Sequence, residues 1–271
     1  MTSPIQTLIR LMVQLRDPDN GCPWDKAQTY ESIIPFTVEE TYEVADAIER
    51  KDLAALKDEL GDLLFQVIFL SRIAEEQGAF NFDDVAQAIC DKLVRRHPHV
   101  FGDELRTSPE AVVHAWEGLK AKERADKRAR SDVATDAAPS ALDDIATALP
   151  AMMRARKLQS RAARVGFDWS SAEPVLDKIE EEVAELREAV EKKDSAALQA
   201  EFGDVLFSCA NFARHAKIDP EWALRGANQR FEARFKHMED AAREGGRQLL
   251  DLTTAELDSL WRAAKQFERS S

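Results

Sequence analysis

EETYEVADAIERKDLAALKDELGDLLF, Glu39 to Phe65, returns as EEVAELREAVEKKDSAALQAEFGDVLF, Glu181 to Phe207, with no gap. The two copies lie 142 positions apart and share 15 of 27 residues. Self-similarity of this length marks an internal duplication and sets the domain count at two. Each copy reads as a helix, a charged turn and a second helix. Glu40-x-x-Glu43 and Glu59-x-x-Asp62 in the first copy become Glu182-x-x-Glu185 and Glu201-x-x-Asp204 in the second. Residues three apart on a helix differ by about 60° in azimuth, so each pair shares one face.

Outward from the repeat, helix signals dominate. Ser3-Pro4 sets an N-cap before a proline at N1, ahead of the apolar stripe Ile5, Leu8, Ile9, Met12 and Leu15. After a loop over 17–25, the next helix is predicted to begin near Pro35 or Thr37 and run to Arg50. Asp52 caps a helix ending at Gln77-Gly78, and another spans 83–97 before Pro98. Ser108-Pro109 opens one through Trp116 into Arg130. In the second half, helices are predicted from Pro174 to Lys192, after Asp194 to Ala216, and from Asp219-Pro220 to about Arg243. Thr253-x-x-Glu256 is a capping box for a last helix through Trp261. No alternating strand pattern occurs. The expected fold is all-α: two tandem four-helix bundles, 1–130 and 142–271, joined by a small, polar linker at 131–141.

Composition bounds the function. Of the 271 residues, 44% are hydrophobic and 32% charged, as in soluble globular proteins. A net charge of −13 argues against a nucleic-acid polymer as partner, because that needs a positive footprint. No apolar run is long enough to span a membrane, and no signal peptide is visible. Three widely spaced cysteines, Cys22, Cys90 and Cys209, read as reduced thiols of a cytoplasmic protein.

Four carboxylates from two facing helices repel one another and lose hydration, at a cost of about several kcal/mol per ion. Protons or a divalent cation would offset that. Oxygen-only ligands favour Mg²⁺ or Mn²⁺ over zinc or copper. A di-iron bundle would need Glu-x-x-His, and no His follows these acids at that spacing. The plainer reading is a solvated acidic face, and Thr37-x-x-Glu40 also fits a capping box. Pro174, two turns upstream of Glu182, removes that excuse in the second half, and the duplication of both pairs favours a site. Gly203, beside Asp204, is expected to mark a close helix–helix approach, with Phe202, Val205, Leu206 and Phe207 buried around it.

Cations and aromatics form a second pattern. Arg230-x-x-x-Arg234 and Trp261-x-x-x-Lys265 have counterparts in Lys92-x-x-x-Arg96 and Trp116-x-x-x-Lys120. Such spacing grips phosphate oxygens and offers an indole face to a ring. Against that stand Trp261 as core filling and ion pairs of Arg230 or Arg234 with Glu232 or Glu239. Lys178 precedes Glu182 by one turn, where the first half has Phe36. A lysine there can neutralise phosphate charge, so the second half is expected to carry the main activity.

These residues resemble the tandem-domain MazG family of nucleoside triphosphate pyrophosphohydrolases. The resemblance runs through Gly21–Ile48, KDELGDLLFQ (Lys57–Gln66) and RHPHVFGD (Arg96–Asp103). In the second half it runs through RAARVGFDW (Arg161–Trp169), EEEVAEL (Glu180–Leu186), EFGDVLF (Glu201–Phe207) and ANQRFEARF (Ala227–Phe235). It implies an all-α pyrophosphatase domain in each half, a homodimer, and Mg²⁺-dependent hydrolysis of nucleoside triphosphates to monophosphate and pyrophosphate. It implies metal ligands at Glu182, Glu185, Glu201 and Asp204, with Glu40, Glu43, Glu59 and Asp62 as first-half counterparts. Nucleotide contacts are implied at Lys178, Arg230, Arg234, Trp261 and Lys265, with Arg230 standing where the family has Lys. Two alternatives stay open. One is a narrow-substrate relative acting on dUTP, dCTP or phosphoribosyl-ATP; the other is a non-catalytic interaction protein whose acidic faces dock a basic partner.

Overall fold

Two Lys-Asp turns set the register of both acidic hairpins. Lys51 and Lys193 adopt left-handed backbone, at φ 56° and 54°. Asp52 and Asp194, next in sequence, each accept two backbone N–H groups of the following helix. A left-handed residue closes one helix and an aspartate opens the next, the pairing that end-capping chemistry favours. The computed structural model describes residues 3–102, 108, 118, 119, 123 and 140–270. The chain divides into two compact units, Met1–Ala134 and Thr135–Ser271.

The first unit contains α1 (Pro4–Leu15), α2 (Pro23–Ala27), α3 (Tyr30–Glu49), α4 (Leu53–Glu76), α5 (Phe82–Arg96) and α6 (Pro98–Phe101). The antiparallel pair α3–α4 is its centre, and α1 and α5 pack on α4. Met12, Ile33, Ile68, Phe69 and Ile73 form the core, with Ile5, Leu8, Ile9 and Phe65 against it. The second unit contains α7 (Ala151–Ala163), α8 (Glu173–Lys192), α9 (Ser195–His215), α10 (Pro220–Glu244) and α11 (Thr254–Ser270). Here α8–α9 is the acidic hairpin, α7 packs on α9 and α10, and α10–α11 forms a second hairpin. No strand occurs among the described residues, so the fold is all-α.

Several expectations need correction. Helix α3 starts at Tyr30, not near Pro35 or Thr37, because Thr29 and Ser32 form a capping box upstream. Pro35 therefore lies inside the helix, and the Thr37/Glu40 cap does not exist: the Thr37 hydroxyl bonds back to the Ile33 carbonyl. Helix α2 begins at Pro23, inside the loop expected over 17–25, and α6 and α7 lie outside the predicted helices. The helix expected to run from Ser108 into Arg130, with Trp116 and Lys120, falls largely outside the described residues. Nearly all of the linker at 131–141 does so too.

The face of α9 is also more open than its sequence suggests. Phe202, Leu206 and Phe207 are 54%, 41% and 43% exposed. A Cβ added to Gly203 would meet nothing within 4 Å, so no helix among the described residues presses on it. The apolar residues most deeply buried in this unit are mainly alanines, Ala155, Ala189, Ala210, Ala213, Ala242 and Ala264, with Val175 and Met238. Many of its large apolar side chains, Phe167, Phe202, Phe207 and Phe231 among them, are exposed instead.

Candidate functional site

The hairpin α8–α9 brings carboxylates from both helices together. Oxygen atoms of Glu182, Glu201 and Asp204 lie within 4.8 Å of one another. Glu182 is buried, at 5% exposure, while Asp204 faces solvent and Glu201 is half-buried. Glu185, one turn after Glu182, lies outside this closest group but feels it. Desolvation, then the charges of Glu201 and Glu182, raise its carboxyl above the usual range. Lost hydration is the larger part of that upward shift, and neighbouring negative charge adds to it.

Lys178 supplies the one countercharge that an ion pair places here among the described residues. Its ammonium donates to Glu181 Oε1 at 2.8 Å and sits 2.9 Å from Glu182 Oε1. Both carboxylates push the lysine to hold its proton more strongly. Glu181 was not singled out from sequence, although the i, i+3 spacing from Lys178 was enough to find it.

The first unit repeats the cluster without the lysine. Oxygen atoms of Glu40, Glu43 and Glu59 lie within 4.8 Å of one another. Burial first, then the charges of Asp62 and Glu43, raise the Glu40 carboxyl. Burial, then Glu43 and Asp62, raise Glu59 likewise. Phe36, where the second half has Lys178, instead packs edge-on to Trp24 at 5.7 Å between ring centroids. Oxygen-only clusters of this size suit a hard divalent cation in either unit. The asymmetry lies in what stands beside it.

The basic and aromatic residues converge on α10 and α11. The Arg234 guanidinium lies 5.5 Å from the centroid of the Trp261 ring and the Lys265 ammonium 5.6 Å, a double cation–π arrangement. Phe231 packs against the same indole at 5.6 Å. Arg234 Nε donates to Glu268 Oε2 at 2.6 Å, so its acidic partner is on α11 and is neither Glu232 nor Glu239. That pairing depends on the hairpin and has no local sequence signal. Arg230 is exposed one turn earlier. Among the described residues no ion pair joins this cluster to the carboxylates of α8 and α9. In the first unit Arg96 pairs with Glu123.

The loop before α8 is tied down from the other side. Arg214 grips Asp168 through both terminal nitrogens, and His215 Nε2 lies 3.0 Å from the same carboxylate. Arg214, the largest influence, holds the Asp168 carboxyl below its ordinary range. This fixes the GFDW loop, Gly166 to Trp169, against α9.

Comparison with known proteins adds three findings. The profile of the MazG nucleotide pyrophosphohydrolase domain matches this chain twice, over residues 28–101 and 170–239. A nucleoside triphosphate pyrophosphohydrolase of Escherichia coli (strain K12) is 47% identical over 97% of this chain and 98% of its own length. A nucleoside triphosphate pyrophosphohydrolase/pyrophosphatase of Thermotoga maritima is 44% identical, over 96% of this chain and 95% of its own.

Proposed function

The chain belongs to the MazG nucleotide pyrophosphohydrolase family, and on that premise we propose that Glu182, Glu185, Glu201 and Asp204 hold Mg²⁺ at its working centre. The activity itself is that of a nucleoside triphosphate pyrophosphohydrolase, which splits the substrate into nucleoside monophosphate and pyrophosphate. The observation that carries the site is the convergence of Glu182, Glu201 and Asp204 from two helices, with Glu185 carrying a raised pKa beside them. The donor set is all oxygen, which suits Mg²⁺ and admits Mn²⁺ as a substitute.

When bound, Mg²⁺ supplies Lewis-acid polarisation of the phosphates and neutralises their charge. The chain supplies the rest. Lys178 offers an ammonium beside the carboxylates, able to turn from Glu181 and Glu182 toward a phosphate oxygen. Arg230, Arg234 and Lys265 offer further positive charge, and Trp261 a ring face, for the nucleotide. A carboxylate of the set takes the proton of the attacking water, and the basic groups stabilise the departing pyrophosphate. The test is direct. The full chain should release pyrophosphate from a mixture of nucleoside triphosphates with Mg²⁺, and excess EDTA should abolish the release. EDTA-resistant turnover would sink the metal assignment. A substrate panel separates broad use from the narrow dUTP, dCTP or phosphoribosyl-ATP alternatives.

The second unit is the main catalytic half in this reading, because Phe36 cannot do what Lys178 does. The working form is a homodimer. No described helix is long and apolar enough to cross a membrane, so the exposed residues of α9 need another cover. Phe202, Leu206 and Phe207 line one open face around Gly203, the kind of patch that protein interfaces bury. The partner is a second copy of this chain, and the protein works in the cytoplasm. Sedimentation should give twice the 30.5 kDa chain mass, and Phe202→Glu should shift it toward monomer. A monomer at micromolar concentration would refute the pairing.

A further inference from the structure

The last turns of α11 return to the cationic side of α10 and bring an acid with them. Arg230, Arg234 and His237 are spaced i, i+4, i+7 on α10. Trp261, Lys265 and Glu268 have the same spacing on α11, so each set forms one row along its helix. The rows meet at Arg234. Its guanidinium lies 5.5 Å from the Trp261 ring centroid, and its Nε donates to Glu268 Oε2 at 2.6 Å. One residue from Glu268, the Phe267 ring stacks on His237 at 4.9 Å, 15° from parallel. Arg230 and Lys265 have no ion-pair partner among the described residues. Glu268 is thus the one acid that an ion pair ties to this cluster there.

A negative charge inside a cluster meant for phosphates calls for a reason. It competes with an anionic substrate, and a partly exposed ion pair contributes little to stability. The point of attachment supplies the reason. A guanidinium carries one N–H at Nε and four on its two terminal nitrogens, all in one plane. Glu268 takes only Nε. The two terminal nitrogens of Arg234 have no hydrogen-bond partner among the described residues. Together they form the fork that grips a phosphate through two parallel bonds. A guanidinium held at Nε and flanked by the Trp261 ring is restrained in both plane and direction. The His237–Phe267 stack holds the last turn of α11 without help from the acid, so Glu268 acts from a fixed support. A lysine could not serve both partners in this way, because its donors share a single nitrogen.

We propose that Glu268 is a positioning residue for the substrate, holding Arg234 by Nε so that its terminal nitrogens stand ready for the phosphates of a nucleoside triphosphate. This rests on the reading of Arg234 as a nucleotide contact. An arginine loses much rotamer freedom when it grips a ligand, and Glu268 moves that loss from the binding step into the fold. The benefit belongs to KM more than to kcat, because the arginine is ordered before any bond breaks.

Steady-state kinetics on the full chain with ATP and Mg²⁺ supply the test. Glu268→Ala should raise KM about tenfold while kcat changes less than about twofold. Two further variants separate reach from charge. Glu268→Gln keeps an oxygen for Nε and should restore most of the loss. Glu268→Asp keeps the charge but withdraws it by one methylene, and should behave like alanine. In an Arg234→Ala background, Glu268→Ala should add nothing, the non-additivity expected of two residues that work through one contact. All three Glu268 variants should melt within about 3 °C of wild type. If the alanine variant does not fold, the glutamine and aspartate variants decide the matter. A wild-type KM for aspartate with a raised one for glutamine would make Glu268 a charge and not a positioner, overturning the proposal. So would a KM for Glu268→Ala at or below wild type, or additive losses in the double variant. An unchanged KM in Arg234→Ala would overturn the contact reading itself. A raised KM there, with none in Glu268→Ala, would overturn the positioning role alone.

Discussion

Glu201→Gln or Asp204→Asn should leave the helices intact and lower turnover of nucleoside triphosphates by at least about 10²–10³-fold, the scale on which preorganised charge stabilisation is lost. Both replacements keep shape and remove a charge. Neither residue is fully buried and neither has an ion pair among those described, so no structural partner is orphaned. Removing the Glu201 charge also relieves one of the influences that raise Glu185, so the metal-free protein should fold at least as well. Circular dichroism and steady-state rates in excess Mg²⁺ provide the measurement. Full activity in both variants would refute the second-half assignment.

Lys178→Ala should act differently, on nucleotide binding and on the metal-free fold together. A hydrogen bond to a charged group contributes about 1.5–3 kcal/mol, so kcat/KM should fall about 10–100-fold, mainly through a higher KM. The same change leaves Glu182, whose side chain is 7% exposed, without its counter-ion. An unpaired buried carboxylate is costly, so the variant should melt lower than wild type without metal and recover when Mg²⁺ is added. An unchanged KM and kcat would remove Lys178 from the site. A melting temperature that Mg²⁺ does not restore would separate the lysine from the metal.

The acidic hairpins were legible because their information is local. Glu182 and Glu185 share a face by spacing, Asp194 announces a helix start, and the duplication multiplies the signal. The start of α3 was not legible. Thr29-x-x-Ser32 competes with Thr37-x-x-Glu40 as a cap, and a proline six positions into a helix looks like a beginning. Burial was harder again. Phe202, Leu206 and Phe207 read as core by composition, yet the fold of one chain leaves them outside. The Arg234–Glu268 pair and the stack of Phe267 on His237 depend on which helices meet, and a single helix does not encode that.

The Lys-Asp corner has one more implication. Each residue of an α-helix advances 1.5 Å and turns about 100°, so the corner works as a gauge block for everything downstream of it. Lengthening it by a single position would swing Glu201 and Asp204 a quarter-turn or more away from Glu182. The preserved length of that corner in both halves, with a lysine held left-handed in each, is how the ancestral hairpin kept its two rows of acids in step through the doubling of the gene.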